Sequence, residues 1–330
     1  MLILLFLLGI IPKIFRSIII LYLSASNLST PIKLVFLNRT AFSVWLRASR
    51  PQTLPASVVP VLIGASLAWS HGLLRWDTTI VALICALLIQ IGTNFANDYY
   101  DFVKGSDRPD RIGFERATAA GLVTPAAMLN ATWITMGIAF LTGLYLVWVG
   151  GWVILLLGML SLLFGVLYTG GPYPLGYNGL GDIFVFIFFG FAAVMGTYYI
   201  NALQLHAHSF WASIPAGALC VNILVVNNLR DIEQDRISGK RTLGVFFGEN
   251  ALKLEYTLLA LAAFIVPILL FSRFNFSPWI LLPLLSIPAA VILIKKVWIH
   301  NHKRDLNPVL ERTAQFMILY GLLFSAGIIL

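Results

Sequence analysis

An asparagine followed by spaced aspartates occurs twice in this chain, in NDYYD from Asn97 and in NLRDIEQD from Asn228. Residues three or four apart share one face of a helix, so Asn97, Asp98 and Asp101 form one acidic edge and Asn228, Asp231 and Asp235 form a second. Eight of the fourteen acidic residues fall between positions 98 and 115 or between 231 and 235, the others there being Asp107, Asp110, Glu115 and Glu233. Carboxylates gathered in this way repel unless neutralised. Hard oxygen ligands suit Mg²⁺, which commonly binds through one or two carboxylates together with substrate phosphates. The cations Lys104, Arg108, Arg111, Arg116, Arg230, Arg236, Lys240 and Arg241 are interleaved with the acids and offer donors to phosphate oxygens. Acid for a metal and base for a phosphate imply a diphosphate between the two edges. One charged loop alone is equally well explained as a solvated, salt-bridged surface. A repeat of the asparagine-then-aspartate spacing at a second helix end argues against that explanation.

The segment from Tyr168 to Asp182, YTGGPYPLGYNGLGD, is uncharged up to its last residue and rich in glycine and tyrosine. It reads equally as a turn and as a lid in which Tyr168, Tyr173 or Tyr177 offers an aromatic face to a developing cation. His206 with His208, and His300 with His302, are two apart and lack a third ligand of suitable type, so both pairs read as exposed polar residues. Cys85 and Cys220 lie in apolar runs without a partner spacing and read as small buried hydrophobes. No G-x-S-x-G motif and no P-loop occurs.

The elements that must position these groups are membrane helices. The chain is 59% hydrophobic and 11% charged, against roughly 25% charged in soluble domains. Apolar runs long enough to cross a bilayer recur at 55–73, 79–102, 125–147, 151–168, 182–202, 210–229, 251–271, 278–298 and 313–330, giving nine expected spans. The expected fold is therefore all-α and polytopic. Alternation of the loops places Arg75 and Arg273 at one face and the remaining loop cations, from Arg47 and Arg50 to Lys303, Arg304 and Arg312, at the other. By the positive-inside rule the second face, with both acidic windows, is cytoplasmic. Trp69, Trp76, Trp148, Trp152, Trp211 and Trp279 fall at the opposite ends of spans, at headgroup level. The net charge of +8 is thus an orientation signal, and no nucleic-acid partner is expected. Residues 1–43 form a hydrophobic extension with an expected interfacial helix, and 44–330 form the transmembrane domain.

On NDYYDFVKGSD, PYPLGYNGLGD and NNLRDIEQDRISGKRTLGV taken together, the chain from WLRASRPQTLPAS to the C-terminus resembles the UbiA superfamily of intramembrane aromatic prenyltransferases. Within it, the chain is similar to the branch that uses 1,4-dihydroxy-2-naphthoate. The wider family's first motif is N-D-x-x-D-x-x-x-D. Asn97, Asp98 and Asp101 match it, whereas Gly105 stands in place of the last aspartate and Asp107 follows two residues later, as in the naphthoate branch. Asp231 and Asp235 match the second motif, D-x-x-x-D. The loop after the fourth span lacks the Lys or Arg usual in hydroxybenzoate-using relatives, which again favours naphthoate.

The resemblance implies nine helices around a central cavity, with both motifs at its cytoplasmic mouth, a side opening toward lipid, and a place in a bacterial inner membrane. It implies Mg²⁺ held by Asn97, Asp101, Asp231 and Asp235, helped by Asp98 and Asp107. The polyprenyl diphosphate would be held by Lys104, Arg108, Arg116, Arg230, Lys240 and Arg50, with Tyr168 or Tyr173 facing the cation. The implied reaction is prenylation of 1,4-dihydroxy-2-naphthoate with loss of CO₂ and diphosphate, as in menaquinone biosynthesis. Other quinone precursors stay open as acceptors. A transporter would place its ion site near the bilayer midplane at broken helices, and a CDP-alcohol phosphatidyltransferase would carry D-G-x-x-A-R, which is absent.

Overall fold

The structure, a computed structural model, describes residues 39–107 and 112–330. The expected interfacial helix near the N-terminus, and Arg108, Asp110 and Arg111, lie outside the described residues. Contacts divide the chain after Trp45. The first unit contributes only the start of helix α1 (Arg39–Ala48) to the described residues, and everything below concerns Leu46–Leu330.

The described residues are helical and contain no strand. Lipid offers a backbone no hydrogen-bond partners, so each spanning segment must satisfy its own. The succession is α2 (Pro55–Ser70), α3 (Trp76–Val103), α4 (Pro125–Leu167), α5 (Gly181–Ala202), α6 (Ala207–Ile237), the short α7 (Leu243–Phe247), α8 (Glu249–Phe274), α9 (Pro278–Ile299) and α10 (Leu306–Ile329). Among the described residues seven helical stretches are long and apolar enough to cross a membrane, and α2 is an apolar helix of 16 residues, shorter than these. The expected spans 125–147 and 151–168 form one 43-residue run, α4, interrupted at Gly151 (φ 69°, ψ −156°). This is a conformation essentially confined to glycine. The run folds back there: a Cβ on Gly165 would lie 3.4 Å from the Met136 side chain, whereas a straight helix would separate the two residues by about 43 Å. Counting its two arms separately turns the seven stretches into eight, and the shorter α2 lies at the first of the nine expected positions.

Helix α6 runs through the core, with Val225, Val226 and Leu229 fully buried, and packs against α2, α5, α8 and α10. Its backbone meets that of α5 at a glycine pair, where a Cβ on Gly190 would come within 3.1 Å of the Gly217 Cα. Small residues at such crossings are how membrane helices pack without a hydrophobic driving force. The middle of α5, Phe186–Met195, is π-helical. Helix α6 also continues to Ile237, well beyond the apolar run that predicted it, so Asp231 and Asp235 remain on a helix face. Trp69, Trp76, Trp148, Trp152 and Trp279 are exposed, and Trp211 is half buried against Phe274.

Candidate active site

Helix α3 ends at Val103 and α6 at Ile237. Their last turns line one chamber of about 230 Å³, walled by Asn97, Asp98 and Asp101 from α3 and by Asn227, Asn228, Arg230, Asp231 and Asp235 from α6. The carboxylates of the two helices converge. Lys240 Nζ lies 3.2 Å from Asp101 Oδ1 and 4.0 Å from Asp235 Oδ1. Asp101 also accepts from the Tyr177 phenol at 2.7 Å and from Arg116 at 3.3 Å. Arg116 in turn reaches Asp107 at 3.5 Å. Asp107 thus stands behind Arg116 and is not part of the chamber wall.

The other expected residues divide by what their polar atoms face. Both Asp98 oxygens accept backbone N–H bonds, from Ala117 at 3.0 Å and Thr118 at 2.9 Å, so this carboxylate anchors the loop that carries Arg116. Asp98 also lines the chamber. Arg230 is 2% exposed. It donates through Nε and Nη2 to the two oxygens of Asp231, each at 2.7 Å, and further to Asn227 at 2.7 Å and Asn307 at 2.9 Å. Its guanidinium is thus a latch between α6 and α10 that also lines the chamber. Lys104 lies outside the chamber wall, donating to the Thr169 carbonyl at 2.7 Å and standing 4.8 Å from the Tyr177 ring centre. Burial lowers its pKa, opposed by the nearby Asp101. Thr169 donates to Asn97 Oδ1 at 2.8 Å, so the glycine- and tyrosine-rich segment is tied to the acidic edge of α3. Arg50, in the left-handed region at φ 51°, lines the chamber together with Arg47, Arg116 and Lys240.

Of the three loop tyrosines, Tyr168 and Tyr177 line the chamber and Tyr173 does not; it is 61% exposed. Burial, followed by the charges of nearby carboxylates, raises the pKa of both chamber phenols, which therefore stay protonated. Tyr177 shares a 2.7 Å bond with Ser106 and packs under Lys240 at 4.7 Å. Thr169, Tyr177 as a carboxylate partner, and Asn307 were not among the expected site residues. Thr169 and Tyr177 sit in the glycine- and tyrosine-rich segment, but Asn307 carries no local signal because it meets Arg230 from 77 residues away.

Beneath the polar chamber lies an apolar one of about 230 Å³, lined by α3, both arms of α4, and α5. Gln90, Thr93, Tyr168, Val185 and Phe189 belong to both walls. The lower wall includes Phe140, Phe164, Phe184 and Phe188, and its rim residues Leu144, Leu155 and Met159 are exposed on the helical surface. A polar head between acidic and basic groups, joined to an apolar body open toward lipid, is a shape that takes an amphiphile.

The UbiA prenyltransferase family matches residues 57–319. The chain is 41% identical to the 1,4-dihydroxy-2-naphthoate octaprenyltransferase of Escherichia coli K12, covering 87% of this chain and 95% of that one. It is 34% identical to the protein of the same name from Mycobacterium tuberculosis, over 87% and 97%, and 32% identical to human UbiA prenyltransferase domain-containing protein 1, over 87% and 83%. Among solved structures, the fold is shared with an apo UbiA homologue from Aeropyrum pernix (TM-score 0.65, 14% identity, 84% and 96% coverage). It is shared also with a UbiA homologue from Archaeoglobus fulgidus bound to DMAPP and Mg²⁺ (TM-score 0.59, 16% identity, 85% and 99%). With the repeated acidic edges, the paired chambers and these matches in agreement, this multi-pass membrane protein belongs to the UbiA prenyltransferase family.

Proposed function

We propose that the protein transfers a polyprenyl group from polyprenyl diphosphate to 1,4-dihydroxy-2-naphthoate, releasing diphosphate and CO₂, a step of menaquinone biosynthesis. The observation that carries this reading is the convergence of Asp101 and Asp235 on Lys240 directly above an apolar chamber. Relatives named for this reaction support it at 34–41% identity over nearly their whole length.

The chamber fits Mg²⁺ by its donor set. Asn97, Asp101, Asn228, Asp231 and Asp235 offer only hard oxygens from two facing helices, the ligand type this ion prefers. Asn97, Asp101, Asp231 and Asp235 would hold it, and when bound it would offset the charge that builds on the leaving diphosphate. The chain's own residues do the rest. Lys240 and Arg116, which already face Asp101, exchange part of that contact for phosphate oxygens, with Arg50 closing the far wall. Asp98 positions Arg116 by fixing its loop, and Arg230 positions Asp231. Charge stabilisation by groups held in place before reaction is where such sites gain most.

The allylic C–O bond breaks with its electron pair leaving on diphosphate. Tyr168, at the seam of the two chambers, presents an aromatic face to the allylic cation. The phenylalanine-lined chamber keeps water from quenching it. The electron-rich naphthol ring forms the new C–C bond, and departure of CO₂ restores its aromaticity. The concentration of loop cations at the chamber end supports a mouth on the cytoplasmic side, in a bacterial inner membrane.

The test is mass spectrometry of the products formed by purified protein from the naphthoate and a series of prenyl diphosphates, with and without Mg²⁺. A decarboxylated prenyl naphthol that forms only with Mg²⁺ is expected. Absence of any prenylated product across the series would overturn the assignment.

A further inference from the structure

His206 and His208 were expected to be exposed polar residues without a third ligand, but the fold supplies one. His71 immediately follows α2, while His206 caps α6 and His208 sits in its first turn. One ring nitrogen from each of the three lies within 4.8 Å of the others. This is the end of α6 opposite Asp231, about 35 Å away by helical rise over 23 residues, so the cluster is separate from the acidic chamber.

The arrangement is built to hold the rings. His71 Nε2 and His208 Nδ1 are 3.4 Å apart. Two imidazoles on a tetrahedral zinc at roughly 2.0–2.1 Å place their nitrogens about 3.3–3.4 Å apart. On its other side His71 Nδ1 is 2.7 Å from the phenol of Tyr198, which is 1% exposed. With that nitrogen donating to the phenol, the Nε2 lone pair faces His208; a hydrogen bond of this kind commonly fixes the tautomer of a metal-bound histidine. His208 is held edge-on by Phe276 at 4.9 Å and Phe274 at 5.3 Å. Among the described residues the cluster contains no carboxylate or thiolate. An all-imidazole set suits zinc, copper or nickel and not magnesium.

We propose that His71, His206 and His208 form a binding site for a divalent transition metal of the zinc class, bracing the end of α2 to the start of α6 at the face of the bundle opposite the acidic chamber. Water or an external anion completes the coordination.

The test uses the full chain without a histidine tag, in buffer saturated with Mg²⁺, titrated with Co²⁺. The expected result is a visible absorption band of tetrahedral cobalt, saturating at one ion per chain and abolished by equimolar Zn²⁺. His71→Gln and His208→Gln should each weaken cobalt binding at least a hundredfold while Mg²⁺-supported prenyl transfer stays near the parent rate, which shows that both variants fold. Asp101→Asn should keep the band. The proposal is overturned if no band develops, as for a plain imidazole hydrogen-bond chain, or if the band survives His71→Gln. It is overturned equally if the band disappears in Asp101→Asn, which would place the ion in the acidic chamber.

Discussion

Asp101 accepts from a phenol, an ammonium and a guanidinium at once, so its carboxylate is both balanced in charge and fixed in direction. Replacing it with asparagine keeps the shape and removes the charge. Asp101→Asn should lower kcat by roughly 10³-fold, the scale expected when a preorganised electrostatic group is lost, with the melting temperature in detergent nearly unchanged. Tyr177→Phe removes one donor to that carboxylate and the bond to Ser106. A net hydrogen bond to a charged group is worth about 1.5–3 kcal/mol, so a ten- to hundredfold loss of kcat/KM is expected in steady-state assays. Arg230→Lys tests a different role. An ammonium cannot reproduce a fork that meets Asp231 twice while reaching Asn227 and Asn307. Thermal unfolding should report a loss of about 2–4 kcal/mol, because a buried carboxylate is left poorly paired. The acidic edges are legible in the sequence because helical spacing alone puts Asn97 with Asp101 and Asp231 with Asp235 on one face. The partners of Asp98 and Arg230 are not legible. Ala117 and Thr118 approach from a loop, and Asn307 from the last helix, without any periodic signal.

Among the elements, α4 shows how much depends on one backbone position. Its 43 residues carry no charge, and the positive-φ break at Gly151 converts the run into two arms that both wall the lower chamber. A Cβ at Gly151 would meet no other atom within 4 Å, so the effect of Gly151→Ala is conformational and not steric. The variant should lose about 1–3 kcal/mol in thermal unfolding, without a change in the Mg²⁺ dependence of whatever activity remains. The break is visible in the sequence as Gly-Gly between Trp148 and Trp152, two interfacial residues. The π-helical stretch of α5 has no such signature. Phe186–Met195 reads as an ordinary apolar helix, and its wider turn is set by packing against α6, where Gly190 meets Gly217, and against the lower chamber, which Phe188, Phe189, Ala192 and Ala193 line. Insertions of this kind are frequent at functional sites.

At the scale of the whole molecule, a charged chamber is stacked on an apolar one, and under the proposed function this separates two demands, holding a diphosphate and sheltering an isoprenoid chain. Gly158 lies on the wall of the lower chamber, and a Cβ built there meets no atom within 4 Å. A side chain at this position starts in open space at its Cβ, and the volume it takes from the chamber is volume denied to the prenyl tail. Gly158→Trp should leave turnover of dimethylallyl diphosphate within a few fold of the parent, because every group around the diphosphate is untouched. With donors long enough to extend past α4, kcat/KM should fall steeply as isoprene units are added. A ladder of prenyl diphosphates assayed against the naphthoate reads this directly. A uniform loss across the ladder would mean that the tail leaves the site by another route than the chamber between α3, α4 and α5.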